Sequence, residues 1–377
     1  MRKIVVPQTA VSQHEETLGK ALLSYLEHLL QGGTLTWGRD GQYQATNDCR
    51  HYWQWIYAEF KNNHILTASP IELFRFAKEN MEKTAGMSHH YRTDIRAVID
   101  QLFAYDKFRA GHVLAKVDGK GKIQWSKAKK RIASWKGWSL GKYFQLIDVR
   151  YCPYCNAETV GLVKRDNPKF LNRDSYSAID HILPKEDYPL LALSLCNLIP
   201  VCYKCNSQYK GDKDLYRIKE WPLNSPLLAL HPYVHDFYKW FCFEYAPTSV
   251  ENMFVHEFDD SSPLSVKIMK PFPNTQQSFY DSRVRRYLET FELPNSYRDL
   301  YATEINQILK MAMICTSEFV SEMKRLYEGL SDSDFDLTFR RTSLDSCEIN
   351  QHRFAKLTID LIEQIGRDGT LDRTVMA

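Results

Sequence analysis

Cys152-Pro-Tyr-Cys155, then Ile179-Asp180-His181-Ile182-Leu183-Pro184, then Asn197-Leu198-Ile199-Pro200-Val201-Cys202-Tyr203-Lys204-Cys205-Asn206 form the stretch on which the fold turns. Two Cys-x-x-Cys knuckles, 46 residues apart, bracket an Asp-His pair and end on an asparagine. A structural zinc takes four thiolates in a tetrahedron, and a Cys-x-x-Cys turn presents two of them at a suitable separation. Cys152, Cys155, Cys202 and Cys205 are therefore the expected zinc ligands. Such an ion contributes on the order of 10 kcal/mol to folding, which matters where the core between the knuckles is short and poor in apolar runs. Four merely buried thiols, or a redox pair, would not explain why both knuckles flank the same core.

A zinc with four thiolates has no open position, so chemistry would fall to the enclosed polar residues. Hydrolysis of a phosphodiester needs a base for water and a cation for the charge growing on the scissile group. His181 is the candidate base, because imidazole titrates near neutrality. Asp180 is a hard oxygen donor suited to Mg²⁺ or Mn²⁺, and the amide carbonyl of Asn206 offers a second. On an extended strand Asp180 and His181 leave on opposite faces, but at a strand end or bulge both can reach one site. Asn197 is placed to orient the His-bearing loop by hydrogen bonding rather than to touch metal. Lys210, one turn along a helix that starts near Lys204, is a candidate for steadying a phosphate. Singly each residue is ordinary: an Asp-His pair is commonly structural, and an asparagine at a helix start commonly caps it. Jointly, in this order and inside a zinc clamp, they make a specific pattern.

These residues resemble the HNH, or ββα-metal, endonuclease family, in its four-cysteine zinc subclass, over about Tyr151 to Lys213, one sixth of the chain. The resemblance implies a fold of two antiparallel strands and a helix around Mg²⁺. It implies His181 as general base, Asp180 and Asn206 as ligands of the divalent ion, and Asn197 as the residue that positions the base loop. The implied reaction is hydrolysis of double-stranded DNA leaving 5′-phosphate and 3′-hydroxyl ends. One departure is that the lysine usual three residues after the last ligand lies four later here, as Lys210. A looser resemblance follows downstream: Ser225-Pro-Leu-Leu-Ala-Leu-His231-Pro-Tyr233 looks like the segment after the nuclease core in HNH effectors of Septu-type and retron-associated anti-phage systems. That would imply an ABC-type ATPase as partner protein. The readings set against a defence endonuclease are a zinc-stabilised nucleic-acid-binding module without catalysis and a subunit of a restriction-type nuclease.

The rest of the chain fits around this core. Its 377 residues suffice for two or three domains. The expected division is a helical part over 1–145, the nuclease core over 146–222, and a β-hairpin plus helices over 223–377, giving an α+β, mostly helical chain. Leu18, Leu22, Leu26 and Leu29 recur at helical spacing before Gly32-Gly33. Pro70 stands where a second helix would begin, and Ile95, Ile99, Leu102 and Tyr105 make one stripe of a third over about 91–109. Asp118-Gly-Lys-Gly121 reads as a turn between short strands or a loop tip. Leu195 to Val201 suits a strand, and Lys204 to Ile218 a helix buried on one face. Trp240 to Tyr245 is expected to be extended. Phe254 to Phe258 and Leu264 to Ile268 have period two on both sides of a turn, the pattern of a hairpin. Helices are expected at about 276–290, 296–329 and 347–365, the last with Phe354, Leu357, Leu361 and Ile365 as its apolar stripe.

Nine cysteines, an odd number with four in paired spacing, fit a metal site and reduced thiols better than a disulfide framework. No apolar run of about 18 residues appears, and the N-terminus lacks a secretory core, so a cytoplasmic location without membrane insertion is expected. Net charge is only +3, yet Lys107 to Arg150 holds twelve Lys/Arg against two Asp, a balance of +10 that leaves −7 for the remainder. A basic stretch beside such a core would attract a phosphate backbone, and its Trp125, Trp135 and Trp138 are either base-stacking groups or, more commonly, core.

Overall fold

The computed structural model of the protein describes residues 2–127, 138, 140–147, 149–160, 178–216, 230–245, 264–269 and 274–368. These make an α+β fold, mostly helical, with small antiparallel two-stranded sheets and a buried four-cysteine cluster. No helix among them is long and apolar enough to cross a membrane.

The leucine pattern forms helices Gln8–His14 and Lys20–Leu30, joined by a wide turn at Glu15–Gly19. Gly32 ends the rod at φ +84°. Strands β1 (Thr34–Trp37) and β2 (Gly41–Gln44) follow as a hairpin. Ser69 then caps the helix Pro70–Ala85 in a reciprocal arrangement with Glu72, with Pro70 at its first turn. The helix Asn47–Asn62 is an addition to the expected set and buries Trp53, Ile56 and Phe60. The expected helix over 91–109 is two helices, His89–Leu102 and Tyr105–Arg109, because Phe103 and Ala104 leave helical geometry. Strands β3 (His112–Leu114) and β4 (Trp125–Lys127) pair across the expected turn. Gly121 is required there: its φ is +67°, and a Cβ would sit 1.9 Å from the Thr34 carbonyl oxygen.

Trp125 is half-buried and donates to the Gln101 carbonyl at 2.9 Å, while Trp138 is buried and donates to His14 at 2.6 Å. Both are therefore packing groups rather than stacking platforms. Trp135 and much of the basic stretch lie outside the described residues.

In the centre, strand β5 (Ala178–His181) pairs antiparallel with β6 (Leu198–Val201), Asp180 facing Ile199 and His181 facing Leu198. The expected strand over 195–201 thus opens with a 3₁₀ turn, Leu195–Asn197. The expected helix from Lys204 is one wide turn, Lys204–Lys210, ended by Gly211 at φ +51°.

Further on, β7 (Phe241–Tyr245) is extended as expected, and the strand Leu264–Ile268, β8, pairs with it. Residues 254–258 lie outside the described residues. Alternation identifies a strand but not its partner. The helix Asn274–Thr290 matches expectation. The long helix over 296–329 is replaced by Leu293–Leu300, Ala302–Ile314 and Ser317–Leu326. Thr316 makes the last break by capping, its hydroxyl accepting the Phe319 N–H. The final helix begins only at Ala355, after a 3₁₀ turn at Ser346–Gln351 and Phe354 at φ +55°. Phe354, just before it, and its Leu357 and Leu361 are buried. One hydrophobic cluster runs from Ile4 to Leu361 and includes residues of all three expected parts.

Candidate metal centre

Both knuckles fold the same way: the amide after the second cysteine turns back to the first cysteine's carbonyl, Asn156 N to Cys152 O at 2.7 Å and Asn206 N to Cys202 O at 3.1 Å. The four sulfurs of Cys152, Cys155, Cys202 and Cys205 lie within 4.8 Å of one another, all buried. A tetrahedron with Zn–S bonds of about 2.3 Å has edges of ~3.8 Å, and Cys155 and Cys202 are 3.9 Å apart. Packed together as thiols, the neighbouring sulfurs and burial push Cys205 well above its usual range. A cation reverses that, so these four side chains can hold a structural zinc ion. All nine cysteines are free of disulfides; Cys49 and Cys196 are buried, Cys242 and Cys315 half-buried and Cys347 exposed.

The first knuckle is gripped by the C-terminal part of the chain. Tyr287 donates its hydroxyl to the Tyr154 carbonyl, and Tyr297 donates to that of Cys155 at 2.5 Å. Asn156, at φ +57°, donates to the carbonyls of Ile349 (2.7 Å) and His352 (3.1 Å), and its Oδ1 accepts the Lys356 amide at 3.2 Å.

Between the knuckles the strand β5 carries the Asp-His pair without a bulge, so the two side chains meet different neighbours. Asp180, 2% exposed, accepts the Tyr154 hydroxyl on Oδ2 at 2.6 Å and the Lys210 ammonium on Oδ1 at 2.7 Å. Lys210 is likewise 2% exposed, and its ammonium also reaches the His181 carbonyl at 3.1 Å. The structure thus turns Lys210 inward onto Asp180 rather than outward to a phosphate. The geometry that brings it there is the wide turn: Gly211 N bonds the Asn206 carbonyl, five residues back, at 2.8 Å.

His181 places Nε2 3.1 Å from the Ala192 carbonyl and its ring edge-on to Tyr105, with centroids 4.4 Å apart. A carbonyl oxygen only accepts, so Nε2 carries the proton and Nδ1 keeps the lone pair. Burial is the main cause that lowers its pKa to about 4, leaving a neutral imidazole at pH 7. Asn197 braces the loop behind it: Oδ1 accepts the Leu183 amide at 2.7 Å, and Nδ2 donates to the carbonyls of Leu183 (3.1 Å) and Leu191 (2.9 Å). The half-buried Asn206 side chain makes no hydrogen bond to Asp180 or His181.

The structure therefore joins Asp180, Lys210 and the backbone of His181 in one buried cluster, sets the His181 ring against the N-terminal part, and leaves Asn206 at the start of the turn that carries Lys210. Two contributors fall outside the sequence-level set. Tyr154 had a signal, its place between two cysteines. Tyr105 had none, since 75 residues separate it from Asp180. Searches of family models, curated proteins and solved structures find no match to this chain.

Proposed function

We propose that this chain is a divalent-metal-dependent endonuclease of the HNH type that hydrolyses double-stranded DNA, with a zinc ion at the four cysteines as structural staple. The observation that carries this is the buried cluster between the knuckles: a carboxylate already neutralised by a cation, next to a neutral imidazole of fixed tautomer. The β5–β6 pair followed by the turn Lys204–Lys210 also fits the two strands and helix of that family.

The donors suit Mg²⁺ or Mn²⁺. One carboxylate, Asp180, and one carboxamide, Asn206, are hard oxygen groups, and such ions are commonly completed by substrate phosphate and water. A bound divalent ion would offset the negative charge that develops on the scissile phosphate. His181 would take the proton of the attacking water on Nδ1, held by the Ala192 carbonyl and by the loop that Asn197 braces. An approaching phosphate would raise the imidazole's proton affinity and make it a stronger base than in the free protein.

His181→Ala should lower Mg²⁺-dependent plasmid cleavage by about 10²- to 10⁴-fold, the usual contribution of a general base, with zinc content and melting temperature retained. Cleavage at the wild-type rate in that variant would refute the assignment. A zinc-stabilised nucleic-acid-binding module is the second reading. It is favoured by the low exposure of Asp180 (2%) and His181 (9%). DNA binding without cleavage, under either metal, would select it. A role in anti-phage defence beside an ABC-type ATPase remains part of the proposal, resting on residues 225–233, of which 225–229 lie outside the described residues.

A further inference from the structure

Asp180 is held from both knuckles at once. Tyr154, between Cys152 and Cys155, donates to one carboxylate oxygen at 2.6 Å. Lys210, on the turn that begins at the second knuckle, donates to the other at 2.7 Å. The two donors differ in kind. A tyrosine hydroxyl is neutral and can stay in place when a metal binds the carboxylate. An ammonium ion beside a divalent cation is repelled, more strongly where water is excluded. Here both Asp180 and Lys210 have side chains only 3% exposed.

We propose that Tyr154 and Lys210 are positioning residues for Asp180: Tyr154 anchors the carboxylate to the zinc knuckle, and Lys210 is a place-holding cation that a divalent ion must displace. The proposal rests on the reading of Asp180 as a metal ligand. The buried pair gives the enclosed carboxylate the cationic partner that a buried charge needs. It also makes metal binding a cation exchange rather than a simple capture. The His181 carbonyl, 3.1 Å from the ammonium, is the second group Lys210 would release. Displacement would therefore reach both residues of the Asp-His pair.

The test uses full-length, zinc-loaded protein in buffer depleted of other divalent ions. Mn²⁺ binding is followed by electron paramagnetic resonance without DNA, and melting temperature is measured with and without Mn²⁺. Lys210→Met should bind Mn²⁺ at least tenfold more tightly than wild type while melting lower in its absence, because the exchange is removed and Asp180 is left unpaired. Tyr154→Phe should bind Mn²⁺ several-fold more weakly with one zinc per chain retained. A salt bridge that only stabilises the fold predicts the opposite for Lys210→Met, weaker binding along with lower stability. Equal Mn²⁺ affinity in wild type and Lys210→Met, with cleavage intact, overturns the place-holder and leaves the nuclease reading standing. Unchanged affinity in Tyr154→Phe overturns the anchor, and this arm stands even if Lys210→Met does not fold. Absence of Mn²⁺ binding in every form overturns the proposal together with the reading of Asp180 as a metal ligand.

Discussion

The two knuckles share a five-residue pattern, Cys-Pro-Tyr-Cys-Asn at 152–156 and Cys-Tyr-Lys-Cys-Asn at 202–206, and the same local turn, yet their surroundings differ. At the first, Tyr154 is buried against Phe291, with ring centroids 4.3 Å apart, and Asn156 bonds three backbone groups of the C-terminal segment. At the second, Tyr203 is 65% exposed, Lys204 leans over Tyr209 and Tyr301, and the Asn206 side chain is half-buried. One sequence motif thus serves as a tertiary junction in one place and as the rim of a candidate centre in the other. Burial of the flanking residues, not the cysteines, makes the difference.

The largest expected effect treats the knuckles alike. Cys155→Ser and Cys205→Ser each break the same four-sulfur cluster, and loss of the ion forfeits on the order of 10 kcal/mol, comparable to a whole domain's stability. Both variants should be unfolded by circular dichroism, with zinc absent by elemental analysis. A folded Cys205→Ser protein beside an unfolded Cys155→Ser one would show that the knuckles do not share a metal.

Next come the paired asparagines. Asn156→Ala orphans the carbonyls of Ile349 and His352 and the amide of Lys356, a cost of about 2–4 kcal/mol. Asn206→Ala removes no such bond and should cost less than about 1 kcal/mol, while reducing Mn²⁺ binding if Asn206 is a ligand. Chemical denaturation of the two variants measures the contrast. Equal losses would erase it.

Acid should act through the buried histidines, of which only His181 lies between the knuckles. Burial lowers His14 to about 4 and His235 to about 3, and holds His231 well below its ordinary value. The unfolded chain protonates these imidazoles near pH 6.5 while the folded chain does not. Their stabilising contribution is complete above about pH 6.5 and declines as pH falls toward 4. Asp360 opposes this: burial raises it to about 6, so its protonation on acidification relieves the folded state. With His181, also lowered to about 4 by burial, four histidines against one carboxylate give a net fall in melting temperature between pH 6.5 and 4.5. A flat profile across that interval would contradict the burial of the histidines.

The smallest expected effect lies at the exposed tip. Tyr203→Ala should change stability by no more than about 0.5 kcal/mol, whereas Tyr154→Ala, which removes a buried ring and the Asp180 bond, should cost about 3–5 kcal/mol. A large loss from Tyr203→Ala would mean that the second knuckle is packed against something.

Several elements were legible because their cause is local. Gly32, Pro70 and Gly121 act through the backbone of a few residues, so their helix ends and turn were readable from the chain. The break of the long C-terminal helix was missed although Thr316-Ser317-Glu318 spells a cap, since the apolar spacing continues through it. The pairing of 264–268 with 241–245 was not readable, because alternation specifies a face and leaves the partner open.

Sequence by itself determined the four-sulfur cluster: thiolate chemistry and a two-residue spacing suffice to fix which cysteines converge. It also singled out Asp180, His181, Asn197, Asn206 and Lys210 as the polar residues of that core. Only the tertiary structure decided what each one touches. Lys210 turns inward on a wide turn, Asp180 is shared between a tyrosine and an ammonium, and His181 meets a ring from 76 residues upstream. Those contacts come from excluding water around groups distant in the chain, and burial of that kind leaves no mark in local spacing.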